Sequence, residues 1–308
     1  MLGITRRTAR DYLIYLVVRI IVCVLQSVSI DAAYRFATLL GRLAHFVDRR
    51  HRQVAYENLT HAFGSELTEA DRHRMVRQVY DHFARVLVEM LFIGRKIHAH
   101  NWKRYVRFNV HPRAADMLVQ DRAKILVTGH FGNWEMAGCL MAVQRMKPTS
   151  IARDLDNPFL HRLVEQLRSW SGQRVLSKKG DFDRIEQTLR DRQTLISVGD
   201  QSAGPRAHFV PFFGRLASTH KAISLLSIEH NAPIMVGYAY RDRPGFHYVV
   251  ECHAPIEPAS AHGDASALTA AFTHELETGI RRAPEQYFWL HRRWKDQPAK
   301  QESKRKAA

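Results

Sequence analysis

Lys124-Ile125-Leu126-Val127-Thr128-Gly129-His130-Phe131-Gly132-Asn133-Trp134-Glu135 decides how this chain folds. Its first five residues, mostly large apolar or β-branched, read as a buried strand. Gly129 and Gly132 permit a sharp turn, and residues 133–145 then read as a helix. A strand that turns tightly into a helix is a unit of the α/β layered architectures. His130 stands at the strand end, where a side chain can face a cleft. Glu135 lies one turn into the helix. An imidazole with a carboxylate to hold its ring is the pair needed to activate a hydroxyl. The same spacing also serves a plain turn with a structural imidazole and a solvated carboxylate.

Outward from this stretch the alternation continues. Strands are expected at Thr149 to Ala152, Thr194 to Val198, Pro233 to Arg241 and Phe246 to Cys252, and helices at 157–171, 181–192, 216–230 and 265–282. Upstream, residues 8–95 read as helical, with Ala33, Phe36, Ala37, Leu40 and Leu43 at helical spacing. Thr68 with Asp71 resembles a cap ahead of a helix from Asp71 to Phe92. The expected class is α/β, a layered mixed sheet flanked by helices, with an N-terminal helical membrane-anchoring region. The anchor is assigned to 1–30 and the main domain to 31–296, helical over 31–100 and α/β over 101–296. Residues 297–308 form a basic tail.

The anchor rests on an apolar run from Leu13 to Leu25, preceded by Arg6, Arg7 and Arg10 and interrupted by Arg19. A clean span needs ~20 apolar residues, so a helix inserted obliquely or lying in the interface fits better. The basic flank favours a cytoplasmic N-terminus. Ser27-Val28-Ser29 also allows a signal-peptide reading, which Arg19 disfavours. An amphipathic helix packed on the domain is a third reading.

The chain carries 46 Lys and Arg against 30 Asp and Glu, a net charge of +16. Such an excess implies an anionic partner. Zinc-finger spacing, an RNA-recognition aromatic motif and a basic heptad region are all missing from the sequence. The basic residues are spread along the chain, so an anionic membrane is expected rather than nucleic acid. Cys23, Cys139 and Cys252 are odd in number and lack metal-ligand spacing. They point to a reducing compartment and to small buried apolar residues. No metal site is expected.

Three further segments bear on function: Gly199-Asp200-Gln201; Phe209-Val210-Pro211-Phe212-Phe213-Gly214; and the run from Pro284 to Lys295 with Trp289, His291, Arg292, Arg293 and Trp294. With the His-x4-Glu motif, in this order, they resemble the lauroyl/myristoyl late acyltransferases of lipid A biosynthesis. That family is related to the glycerolipid acyltransferases, whose signature is His-x4-Asp. The resemblance covers nearly the whole chain to Lys295. Two departures bear on the acceptor more than on the chemistry. Ala217-Ser218-Thr219-His220-Lys221 stands where Thr-Pro-x-Gly is frequent, and Val236 stands where a second proline is common.

The resemblance implies acyl transfer from acyl-acyl carrier protein or acyl-CoA to a hydroxyl of lipid A or its precursor. It implies the cytoplasmic face of the inner membrane, and it needs no cofactor. His130 is then the base and Glu135 fixes its tautomer. Gly-x-Ser-x-Gly does not occur, which favours direct transfer over an acyl-enzyme. Arg153 is expected to hold a phosphate or support the oxyanion, with an ion pair to Asp154 or Asp156 as its plainer role. Asp200 and Gln201 are expected to bind acceptor hydroxyls or orient Arg153, or else to cap the strand. Phe212 and Gly214 would line an acyl slot or the core. Arg292 and Arg293 would bind headgroups at an interface, or form a solvated charge run. Two competing readings are an acyltransferase for a lysophospholipid or another glycolipid, and a non-enzymatic basic protein binding membrane or nucleic acid.

Overall fold

The computed structural model describes residues 6–146, 148–169, 172–178 and 180–298. Four helices come first: α1 (Arg6–Ser27), α2 (Ile30–Val47), α3 (Arg49–Phe63) and α4 (Glu69–Lys96). Local chemistry sets their starts. Ser29 Oγ accepts the Ala32 N–H and opens α2. Asp48 ends α2 and caps α3. Thr68 and Asp71 form a reciprocal capping box on α4, as the sequence suggests.

The remainder is β1 (Val106–Val110), α5 (Pro112–Val119), β2 (Lys124–Thr128), α6 (Trp134–Val143), β3 (Thr149–Ala152), α7 (Pro158–Ser169), β4 (Arg174–Ser177), α8 (Phe182–Arg190), β5 (Thr194–Val198), β6 (His208–Phe212), β7 (Arg215–Thr219), α9 (Ala222–Glu229), β8 (Ile234–Tyr240), β9 (Tyr248–Cys252) and α10 (Ala265–Ile280). Seven strands make one sheet in the order β1-β9-β8-β2-β5-β3-β4. β8, β2, β5, β3 and β4 run parallel, while β9 is antiparallel to β8. The sheet is therefore mixed and flanked by helices. Every residue of β2 is buried, as befits a central strand covered on both faces.

Several sequence expectations differ from the structure here. Residues 216–219 belong to the second strand of a separate antiparallel hairpin, β6–β7, and not to the start of a helix. The hairpin turn is Phe213-Gly214, both at positive φ (49° and 72°), the two-residue turn that matches strand twist. The short strands β1 and β4 also escaped the pattern. Cys139 and Cys252 are buried, but Cys23 is exposed on α1.

Among the described residues, no helix is long and apolar enough to cross a membrane. α1 packs instead along α4 and α7. Gln26 Nε2 donates to Leu91 O, Asn157 Nδ2 donates to Asp11 O, and Tyr12 and Tyr15 pack against the Phe159 ring, Tyr12 edge-on. The anchoring role expected of this region is not carried by a spanning helix. The tail beyond residue 298 lies outside the described residues.

Candidate active site

Thr128 of β2 and Val198 of β5 are paired across parallel strands. Each strand then runs through one glycine to a polar residue, Gly129 to His130 and Gly199 to Asp200. Gly199 N–H donates to Thr128 O at 2.9 Å, which extends the register past the strand ends. His130 and Asp200 are thus delivered side by side at the C-terminal edge of the sheet. This is where open parallel sheets bind ligands.

Asp200 is 3% exposed and grips His130 twice. Oδ1 accepts from the ring Nδ1 at 2.8 Å, and Oδ2 accepts from the His130 backbone N–H at 2.9 Å. Burial works to raise the Asp200 pKa, but the His130 charge, both hydrogen bonds and the nearby Arg293 hold it below the usual carboxylate range. An ionised carboxylate only accepts, so Nδ1 carries the proton and Nε2 is the basic atom. The His130 side chain keeps 25% of its surface open. Burial works to lower its pKa; Asp200 by charge and hydrogen bond, with the charge of Glu135, raises it overall. His220 and His291 stand near the same carboxylate. Burial first, then cations (Lys178 and Arg293 for His220; Arg293 and Lys295 for His291), push each down to about 4. Both are neutral at pH 7. His130 is the imidazole of this group with a raised pKa.

Glu135 does not take the ring-holding contact expected of it. Its carboxylate binds the Arg168 guanidinium of α7, at 3.0 Å from Nε and 2.6 Å from Nη2. The reason is geometric. Glu135 sits in the first turn of α6, facing α7, while the strand beside His130 already supplies a carboxylate to Nδ1. Glu135 thus ties the first turn of α6 to Arg168 of α7.

A buried polar network holds the turn that carries His130. Phe288 N–H donates to His130 O at 3.0 Å, and Gly132 N–H donates to Gln286 O at 3.0 Å. His82 Nε2 donates to Gly132 O at 3.0 Å, while its Nδ1 accepts from Arg241. Burial first, then Arg241, holds His82 well below the usual imidazole range, which suits this neutral tautomer. Asn133 caps α6 through Met136 N–H and donates to Glu89 at 2.8 Å. Glu89, fully buried, also accepts from Tyr34 and pairs with Arg241. A buried carboxylate persists only with such a complete set of donors. Gly132 is at φ 60°, and a Cβ there would lie 2.0 Å from Ala239 O, so no other residue fits.

The remaining sequence candidates scatter. Arg153 is 80% exposed and pairs with Asp156 at 3.5 Å, the plainer of its two expected roles. It directly follows β3 at the C-terminal edge of the sheet, with its side chain in solvent. Gln201 is half-buried beside Asp200. Phe212 is fully buried and packs on Phe213, Tyr287 and Trp294, so it is core. Gly214 is exposed at the hairpin turn, not against a slot. Arg292 is exposed, whereas Arg293 is 2% exposed. Arg293 donates to Ser218 O and Thr219 Oγ1 and lies over the Phe212 ring. The C-terminal run is not a peripheral cluster. It folds back over the sheet edge, and Asn58 Nδ2 holds Trp289 O and His291 O at 2.7 and 2.8 Å.

Residues 4–296 match the family described as bacterial lipid A biosynthesis acyltransferase. The chain belongs to that family. As a member it is an acyltransferase, which removes the non-enzymatic reading. It is 27% identical over 279 residues to the lipid A biosynthesis lauroyltransferase of Escherichia coli, covering 86% of each chain. It is 24% identical to the lipid A biosynthesis palmitoleoyltransferase of the same organism, again over 86% of each. A phosphatidylinositol mannoside acyltransferase of Mycolicibacterium smegmatis is 25% identical over 56% of this chain and 57% of that one. Superposition on the 1-acyl-sn-glycerophosphate acyltransferase of Thermotoga maritima covers 83% of this chain and 98% of that one, at 14% identity and a TM-score of 0.38.

Sequence reasoning missed Asp200 as the ring's partner, and missed His82, Glu89, Arg168 and Arg241. The first had a signal. Two strand ends, Thr128-Gly129-His130 and Val198-Gly199-Asp200, share the form strand, glycine, polar residue.

Proposed function

We propose that this enzyme moves a fatty acyl chain from an acyl thioester, carried by acyl carrier protein or CoA, to a hydroxyl of a lipid A precursor or related glycolipid. The observation that carries the reading is the His130–Asp200 pair at the sheet edge, inside a chain of this family. His130 Nε2 takes the proton from the acceptor hydroxyl, and the oxygen attacks the thioester carbonyl. The tetrahedral intermediate collapses with loss of the thiolate, which takes the proton back from the imidazolium. Asp200 supports that imidazolium and keeps Nε2 as the base. No acyl-enzyme is needed. Gln201, beside Asp200, is suited to an acceptor hydroxyl. Exposed Arg292 is suited to an anionic headgroup. The proposed acceptors include other glycolipids because a relative named as a phosphatidylinositol mannoside acyltransferase matches 56% of this chain.

The proposed location is the cytoplasmic face of the inner membrane, with α1 lying in the interface. The excess of positive charge and the exposed apolar surface of α1 support it. His130→Ala should cut turnover about 100-fold or more while the fold survives, as expected of a positioned base. Lipid mass spectrometry of cells with and without the gene should show one acyl chain missing from lipid A or a glycolipid. Wild-type turnover by purified His130→Ala protein would remove this residue from the mechanism.

A further inference from the structure

α2 is built inside out. The residues it buries are Ile30, Ala33, Ala37 and Gly41, mostly small. They let α2 lie close against α4, where a Cβ on Gly41 would stand 2.9 Å from the Asp81 Cα. The large apolar residues point the other way. Phe36, Leu39, Leu40, Leu43, Phe46 and Val47 recur three and four apart, and all are exposed, Leu39 by 65% and Phe46 by 75%. A helix whose large apolar stripe faces outward has not buried it in its own core. Monomeric soluble proteins rarely leave such patches larger than roughly a few hundred Å² without a use for them.

The charges say what the stripe meets. Arg35 and Arg42, seven residues apart on α2, run along one border of the stripe, and both are exposed, as is Arg49 at the start of α3. Asp31, in the first turn, is the one acidic residue of α2. Two antiparallel copies packed face to face would bring these arginine rows toward one another. An anionic bilayer supplies the opposite charge and an apolar interior together. α1, joined to α2 through Val28 and Ser29, continues the pattern with exposed Leu13, Val17, Ile20 and Val24. α1 also packs on Asn157 and Phe159 at the start of α7, the helix whose Arg168 binds Glu135 of α6.

We infer that α2 is a second membrane-docking element, its outer stripe inserted among the acyl chains and its arginine row against anionic headgroups. The membrane contact thus reaches beyond the N-terminal 30 residues. The inference rests on the membrane location proposed above, not on the catalytic chemistry.

The test is sedimentation of the full-length protein with vesicles of phosphatidylethanolamine and phosphatidylglycerol, and with vesicles of phosphatidylcholine alone. The variant Leu39→Ser with Leu43→Ser and Phe46→Ser should bind the anionic vesicles roughly tenfold or more weakly, given the apolar area it withdraws. Because these side chains are exposed, its acyl transfer in detergent should equal wild type. Arg35→Gln with Arg42→Gln should weaken binding to the anionic vesicles only, and high salt should mimic that loss. If wild type binds neither vesicle, the proposed location fails. If wild type binds and the triple variant binds equally well, the role of α2 fails. A wild-type dimer in solution that the triple variant converts to monomer would assign the stripe to a second copy and overturn the inference.

Discussion

The side chains that matter most here are distinguished by partner, not by type. Asp200 and Glu135 are both carboxylates near His130, yet one binds the ring and the other binds Arg168. Their variants should therefore differ in kind. Asp200→Asn removes the charge that raises the His130 pKa. The acid limb of the rate profile should move to lower pH, because less stabilised imidazolium loses its proton sooner. The plateau should fall by about 10–100-fold, since the ring loses its tautomer lock and the imidazolium its counter-charge. Glu135→Gln should move the acid limb less, because its charge is the smaller influence on the ring. It should instead weaken the contact with Arg168. The check is kcat against pH for both variants and wild type. An acid limb that moves further for Glu135→Gln than for Asp200→Asn would return the ring-holding role to Glu135.

At the scale of elements, the glycines of two turns divide structure from site. Gly132 lies in the turn after β2, with the backbone of β8 against it. Gly132→Ala should destabilise the fold by about 3 kcal/mol or more, from left-handed strain plus a backbone clash. Gly214 closes the β6–β7 hairpin at φ 72° with open space around it. Gly214→Ala should cost only about 1 kcal/mol, the strain of an L-residue at positive φ. It should leave acyl-chain selectivity unchanged, whereas a glycine lining an acyl slot would alter it. Chemical denaturation gives the two stabilities, and a chain-length series gives the selectivity. The turn around Gly132 was visible in the sequence because glycines and a strand end mark it. The hairpin was not, because Val210-Pro211-Phe212-Phe213 reads as an apolar loop until its pairing with 215–219 is known.

Over the whole molecule, the sequence made the α/β class, five strands and the turn that carries His130 legible. These signals are local: apolar runs, caps and glycine turns. What it hid depends on contacts across the chain. His82 and Glu89 lie seven apart on the buried face of α4 and meet Arg241 some 150 residues later. Nothing local marks them except polarity on an apolar face. Arg292 and Arg293 show the same limit, since adjacent cations look alike until one is buried. Three arginine variants measure this. Arg293→Ala withdraws a guanidinium that bonds Ser218 O and Thr219 Oγ1 and covers Phe212. It should destabilise the protein by about 2–4 kcal/mol, since charged hydrogen bonds and buried packing go together. Salt should not mimic the effect, because a buried contact is poorly screened. Arg153→Ala breaks an exposed pair with Asp156. It should cost less than about 1 kcal/mol, with kcat/KM near wild type in detergent. Arg292→Ala should leave stability unchanged and weaken vesicle-presented substrate only, an effect that fades in high salt. Denaturation and kinetics at low and high ionic strength separate the three. A steep, salt-independent loss of kcat/KM in Arg153→Ala would mean that its loop closes over the cleft when substrate binds, and would restore that residue to the site.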